Sequence, residues 1–288
     1  AEASLRRALE LDPTRVPGSL MLPMRYASAA ALLLIPTLGC GSRSGLPGAN
    51  PDACPDAGAE RACFSLCGQG VETCANGSWQ GCTAPRPKDP ALVGVLRDFH
   101  ATHPDMEKAF GDDPGIVQSV LGADDKPVYA GPTPTTHGQA AFDQWYRDVQ
   151  GVNLSTSITL PLAKSGKELS YSDGTFFPID GQLFGNEGKL HNFHFTFEVK
   201  SQFRYLGAEL FTFTGDDDLW VFINRRLAID LGGVHGTASQ TVSLDARAAE
   251  LGIQVGNVYS FHLFFAERHT SGSSFRLETT IDELALCE

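Results

Sequence analysis

A mainly β chain, folded as an antiparallel β-sandwich with few short helices, is predicted by three features. Apolar side chains alternate with a two-residue period, strand-like runs are separated by Gly- and Pro-rich turns, and 3.6-residue periodicity is scarce. Phe193, Phe195, Phe197 and Val199 alternate with His194, Thr196 and Glu198, the pattern of a strand buried on one face. The same reading holds over residues 259–265 and 275–281. Residues 219–223, Leu-Trp-Val-Phe-Ile, are apolar on both faces and read as a more central strand. One amphipathic helix is expected over residues 139–149, where Phe142, Trp145, Tyr146 and Val149 recur at helical spacing as a packing face. Long insertions are expected between residues 110 and 190.

The chain has 288 residues and a formal net charge of −12, with no basic stripe. That balance excludes nucleic acid as a partner, because phosphate binding needs concentrated Lys and Arg. No Gly-x-Ser-x-Gly elbow, His-Glu-x-x-His helix, phosphate loop or dinucleotide fingerprint occurs, and the chain reads as a non-enzyme. His191 and His194 point to opposite faces of an extended strand and should not share a metal.

Residues 54–90 form a small Cys-rich module ahead of a sandwich domain at residues 91–288. Seven Cys are present. Setting Cys40 aside leaves Cys54, Cys63, Cys67, Cys74, Cys82 and Cys287, an even set that fits three disulfides. With five of the six inside the module, one must pair outside it, and Cys287 is the partner available. Asn76-Gly77 marks a tight hairpin. A zinc knuckle is the competing reading, weakened by the lack of any internal His and of a Cys-x-x-Cys pair.

The most informative stretch is Gly-Asp-Asp-Asp-Leu-Trp-Val-Phe-Ile at residues 215–223, where three carboxylates abut an apolar run. Two ionised carboxylates about 4 Å apart repel by roughly 1 kcal/mol in water and by several times more near a protein surface. The arrangement therefore favours a hard, oxygen-seeking cation such as Ca2+. A solvated acidic turn opening a strand is the alternative.

This stretch, together with Asp-Leu-Gly-Gly-Val-His at residues 230–235 and Ala-Glu-Arg-His-Thr-Ser-Gly-Ser-Ser-Phe at residues 266–275, resembles the fibro-slime domain family. Phe-Asp-Gln-Trp-Tyr-Arg-Asp at residues 142–148 and His-Asn-Phe-His-Phe-Thr-Phe at residues 191–197 fit in the same order, so the resemblance covers roughly residues 92 to 284. That family is similar to the protective-antigen-type sandwich of flocculin adhesins, in which an Asp-Asp pair joined by a cis peptide holds Ca2+ beneath a sugar. The resemblance implies that Asp216 and Asp217 are this pair, with Asp218 directed elsewhere and Ser271 and Ser273 as further oxygen donors. It implies a glycan-binding rim drawn from Trp220, Asn224, His235, Glu267, Arg268 and His269, with Trp220 open to a core role instead. One departure stands at the hairpin after the central strand, where the family's Asn-Gly is replaced by Asn224-Arg225. Arg225 must accept a positive φ or the turn must change type, or the two adjacent arginines, Arg225 and Arg226, meet an acidic partner.

Residues 21–40 read as a secretion signal, with Arg25 ahead of a short apolar stretch that ends in Leu-Gly-Cys at residues 38–40, similar to a bacterial lipobox. Cys40 is the expected lipidation site and residues 41–53 a tether, while residues 1–20 read as an upstream leader or artefact. The stretch is too short to span a bilayer, which needs about 20 apolar residues. The expected protein is a calcium-dependent carbohydrate-binding or adhesion module. Its partner would be a glycan or extracellular polysaccharide, and its place the bacterial envelope or beyond, held to a membrane through a lipid anchor only. A structural matrix protein that uses calcium for rigidity is the alternative, and a glycoside hydrolase a more distant one.

Overall fold

A computed structural model describes residues 53–54, 56–65, 68–85, 90–270, 272–281 and 284. The expectations for residues 1–52, including the secretion signal and Cys40, and those for Cys67, Ser271 and Cys287, lie outside the described residues. Among the described residues, sixteen strands and two short helices follow one another. The first three strands are β1 (Glu60–Ser65), β2 (Gly68–Ala75) and β3 (Ser78–Gln80). After them come β4 (Ala91–Phe99), β5 (Gly111–Asp112), α1 (Gln139–Phe142), β6 (Asn153–Pro161), β7 (Ala163–Ser165) and β8 (Glu168–Asp173). The chain continues with β9 (Phe195–Arg204), β10 (Leu210–Gly215), β11 (Asp218–Ile223), β12 (Arg226–Leu231), β13 (Gly233–Val234) and β14 (Ala238–Ser243). It closes with α2 (Leu244–Leu251), β15 (Val258–Glu267) and β16 (Phe275–Thr279).

The Cys-rich stretch makes its own antiparallel sheet, β1-β2-β3. Its β2–β3 hairpin turns at Asn76 and Gly77, both at positive φ, as the Asn-Gly pair requires. So small a sheet buries little apolar surface and needs covalent help. Two disulfides supply it, Cys54–Cys74 and Cys63–Cys82. They account for four of the six expected partners.

The sandwich pairs a six-stranded sheet, β12-β11-β15-β9-β4-β6, with a five-stranded sheet, β14-β10-β16-β8-β7. Every ladder in both is antiparallel. Between them lies a Phe-rich core to which β9 contributes Phe195, Phe197 and Val199, β11 contributes Leu219, Val221 and Ile223, and β15 contributes Phe261, Leu263 and Phe265. Strand β16 keeps the expected one-sided alternation, with Phe275, Leu277 and Thr279 buried and Arg276 exposed.

Strand β9 does not. Its other face carries Thr196 and Glu198, and both are buried, which corrects the reading of a half-buried strand. The cause is a third layer: residues 105–149 cover the outer face of the six-stranded sheet and build a second core. Ile116, Phe142, Trp145 and Tyr146 from this layer pack against Trp220 and Phe222 of β11 and Phe264 of β15. Strand β11 is thus buried at every position, as its two-sided apolar run predicts.

One further expectation is revised and two are resolved. The helix over residues 139–149 stops after Phe142, because the side-chain amide of Asn153 donates to the Gln144 and Arg147 carbonyls and its oxygen accepts from the Val149 amide, fixing an irregular turn instead. The aromatic stripe still packs inward. The insertion between residues 110 and 190 is not wholly irregular, since β6, β7 and β8 come from it. At the hairpin, Asn224 and Arg225 both adopt positive φ. Arg225 is anchored internally, donating to the Leu121 and Gly122 carbonyls and pairing with Asp125, so it is not held out for an acidic partner.

Candidate functional site

The chain crosses from the five-stranded to the six-stranded sheet between Gly215, the last residue of β10, and Asp218, the first of β11. Gly215 is required there, since a Cβ would stand 2.7 Å from both the Phe213 ring and the Ser274 carbonyl oxygen. Asp216 and Asp217 make the crossing, and Asp217 adopts a left-handed φ of 55°, costly for a non-glycine residue unless its surroundings hold it. They do. Its amide donates to the His235 carbonyl at 3.1 Å. Its carboxylate accepts from the amides of His235 at 3.2 Å and Arg268 at 2.8 Å.

Asp218 begins the strand and faces the covering layer. Its carboxylate accepts from the Gly233 amide at 2.7 Å and from Arg268 Nε at 2.5 Å, and neither side chain of the ion pair is exposed at all. Arg268 spends its remaining donors on the carbonyls of Asp105 and Thr135 and on the Thr135 hydroxyl, and its guanidinium lies over the Trp145 ring at 4.7 Å. Asp105 in turn accepts from Trp145 Nε1 and the His137 amide. The third layer is therefore fastened to the crossing through one buried guanidinium.

Glu267, the last residue of β15, is the other carboxylate at this end and is fully buried. Its Oε1 is approached by the His269 amide at 3.4 Å, and the Asp217 carboxyl and the Ser273 hydroxyl lie close enough to act on its proton, while the buried Ser274 hydroxyl has no hydrogen-bond partner. Burial, reinforced by repulsion from Asp218, pushes the Asp217 carboxyl up to about 7. Burial and the Asp217 charge push Glu267 well above the usual carboxylate range. Asp218 is also raised by burial, against the pull of Arg268. Asp217 and Glu267 thus share a buried environment in which ionising both would leave negative charge that Arg268, committed to Asp218, does not balance.

Several expected site residues stand elsewhere. Trp220 is buried in the second core with its indole N–H on Asp230, so it is no rim residue. Asn224 stands at the opposite end of β11, where its side-chain amide caps α2 through the Leu251 and Gly252 carbonyls. Arg268 is structural, and Glu267 is too deeply buried to touch a sugar directly. All peptide bonds among the described residues are trans, contrary to the expected Asp216-Asp217 geometry. Asp216 turns outward, accepting from the Thr237 hydroxyl at 2.7 Å. The carboxylates that share a buried environment are Asp217 and Glu267 instead. His191 and His194 do remain separate, the first on Asp180 and the second on Glu107.

His235 stays beside the site, as does His269, whose ring packs on the exposed Phe110 at 4.4 Å. Glu107 sits close by, held low at about 2: burial opposes this, but Lys189, Thr270 and His194 all donate to it. Phe110, Glu107 and Thr237 were missed from the sequence because nothing in their local patterns marks them. Among the described residues no three Asp, Glu, His or Cys side chains converge as a ready-made metal cluster. The donors on offer are two carboxylates, serine hydroxyls and backbone carbonyls. That set of oxygens fits Ca2+ better than a nitrogen- or sulfur-seeking metal.

The fold and this end define a two-sheet β-sandwich with carboxylates at the sheet crossing. Residues 173–286 match the PA14 domain, so the match carries the broader resemblance, to the protective-antigen-type sandwich. Protein psiR of Dictyostelium discoideum is 39% identical over 214 residues, covering 65% of this chain and 21% of that protein. Protein psiD of the same organism is 42% identical over 185 residues, covering 58% and 36%. The chain spans about a fifth to a third of these relatives' length. Among solved structures, a PA14 sugar-binding domain from an RTX adhesin superposes with a TM-score of 0.29 at 8% identity, covering 65% of this chain and 89% of that one.

Proposed function

We propose that this chain is a carbohydrate-binding or adhesion module in which Ca2+ sits at the sheet crossing between Asp217 and Glu267, with Ser273 contributing oxygen. The observation that carries the reading is the buried Asp217–Glu267 pair, whose ionised form Arg268, already paired with Asp218, does not neutralise. Buried charge of one sign is strongly unfavourable unless a proton or a cation joins it, and one divalent ion would balance the pair once both protons have left. The PA14 match supports a carbohydrate-binding module, and the fibro-slime resemblance supports a calcium role for Asp217, though it pairs that residue with Asp216. A calcium ion that keeps open coordination positions can take vicinal sugar hydroxyls in place of water. Asp216, His235, His269 and Phe110 are the groups near enough to the surface to form the rim, and the exposed Phe110 ring offers a flat apolar face to a pyranose. Binding rather than hydrolysis is favoured because Asp217 and Glu267 are both buried, whereas glycoside cleavage needs two carboxylates opposed across an open cleft.

A glycan array run with calcium and again with a chelator is the direct test. Calcium-dependent signal that is lost in Asp217→Asn supports recognition. Calcium binding by calorimetry with no glycan signal in either condition favours a matrix protein that uses the ion for rigidity.

We also propose that Cys67 and Cys287 form the third disulfide, joining the Cys-rich sheet to the C-terminal end of the sandwich. Peptide mapping under non-reducing conditions should return Cys54–Cys74, Cys63–Cys82 and Cys67–Cys287, and a free thiol at Cys287 would refute the last. Export through residues 21–40 with lipidation of Cys40 is proposed on the sequence pattern. Cys40→Ala is expected to release the protein from membranes, and unchanged membrane association would remove the anchor from the reading.

A further inference from the structure

The outer face of the six-stranded sheet is not covered along its whole width. Beside Lys126 of the third layer, β4, β6 and β9 line a cavity of about 360 Å3, within the range of small-molecule sites. Its floor is laid by Val93 and Val95 of β4 and Ser157 of β6, and Gly94 and Lys200 also border it. Gly94 cannot be larger, since a Cβ there would meet the Glu198 carbonyl at 2.4 Å and the Phe197 ring at 2.6 Å. This place is distinct from the sheet crossing: Glu198 lies further along β9 than Phe195, the residue opposite Glu267, and faces away from the sandwich core.

The charge in this cavity runs against that of the chain, whose net charge is −12. Glu198 is buried and receives Lys126 Nζ on both carboxylate oxygens, at 2.6 and 2.5 Å, and Arg97 at 3.0 Å. Lys200 stands 3.6 Å away and is 42% exposed. Asp148 takes a second donor of Arg97 at 2.9 Å from the solvent side. Three cations therefore meet two carboxylates, leaving one positive charge over. The neighbouring His262 feels the same excess: burial first, then repulsion from Lys200, lowers its pKa to about 4. Lys126 is preorganised, because its carbonyl accepts from the Gly122 amide and Arg225 ties the same turn down through the Leu121 and Gly122 carbonyls.

We propose that this cavity is a second ligand site and that it takes a sugar carboxylate, a uronic acid residue, with the carboxylate between Lys200 and Lys126 and the ring over Val93 and Val95. Lys200 is the mobile partner, loosely held by Glu198 and able to turn to the ligand without stripping Glu198 of its other two cations. The valines suit the apolar face of a pyranose and the Ser157 hydroxyl suits its rim, features that a simple inorganic anion would not use.

The test titrates the full chain with D-glucuronate in excess chelator, which silences the calcium-dependent site, and follows backbone amides by two-dimensional NMR. Saturable shifts are expected at Gly94, Ser157 and Lys200. D-glucose should leave them in place, and acetate and inorganic phosphate should bind at least about tenfold more weakly. Lys200→Gln, which removes the charge without setting a carboxylate beside the buried Glu198, should abolish the shifts while calcium binding at the crossing is unchanged. No shift with glucuronate, or equal binding of glucuronate, acetate and phosphate, would overturn the assignment. Loss of calcium-dependent glycan binding with these shifts retained would count against the proposed function and leave this site standing.

Discussion

Replacing Arg268 with Met is expected to destabilise the protein by about 3–5 kcal/mol, measured by urea denaturation. The substitution leaves Asp218 fully buried with no cation, while the Asp105 and Thr135 carbonyls lose their donor. Removing one member of a buried ion pair is far costlier than removing both, because the survivor's charge stays unsolvated. Arg268→Met combined with Asp218→Asn should therefore recover part of the loss, and the two changes should couple by more than about 1 kcal/mol. Arg268→Lys should rescue little. An ammonium is a point charge on a flexible stem and cannot satisfy a carboxylate and two carbonyls in one plane while stacking on Trp145. A loss below about 1 kcal/mol in Arg268→Met would mean that the covering layer is held by apolar packing alone.

Arg268 also marks where the sequence stops being informative. Its partners Asp218, Asp105 and Thr135 are 50, 163 and 133 residues distant along the chain, and nothing local distinguishes a buried guanidinium from one at a rim. What was legible depended on a single covered face or a fully covered strand. The alternation in β16 and the unbroken apolar run in β11 each report their own burial. Strand β9 was misread because its polar face is covered by residues that lie far earlier in the chain, so Thr196 and Glu198 look solvent-facing when they are not. Asn224 is a different kind of error. It follows a six-residue strand that opens with Asp218, and a strand rises about 3.3 Å per residue. The two side chains therefore stand roughly 20 Å apart, a separation available from residue numbers alone. The Asp-Asp-Asp run marks the sheet crossing, although Glu267, not Asp216, shares the buried environment of Asp217.

Calcium should stabilise the protein by a few kcal/mol at pH 7 and by little near pH 4. The Asp217 carboxyl is raised to about 7 in the folded chain from an ordinary 3.8, by burial and then by Asp218, and Glu267 is raised with it. A carboxyl raised on folding is one the native state prefers protonated. Without calcium, the native state then holds more protons than the unfolded chain between about pH 4 and pH 7, and stability must fall as the pH rises through that window. The Asp217 part of the penalty is complete once the pH passes well above its raised value, and the Glu267 part extends to higher pH. Calcium replaces the proton as the neutralising partner, so its benefit grows over the same window and in the opposite direction. Other groups titrate there too: Asp98 is raised to about 6 by burial, and burial lowers His103 and His194. The measured quantity is therefore the difference in melting temperature with calcium and with chelator, in which those contributions largely cancel. Asp217→Asn should flatten that difference across the whole range. A calcium increment of equal size at pH 4 and pH 7, or one that survives Asp217→Asn, would place the ion elsewhere.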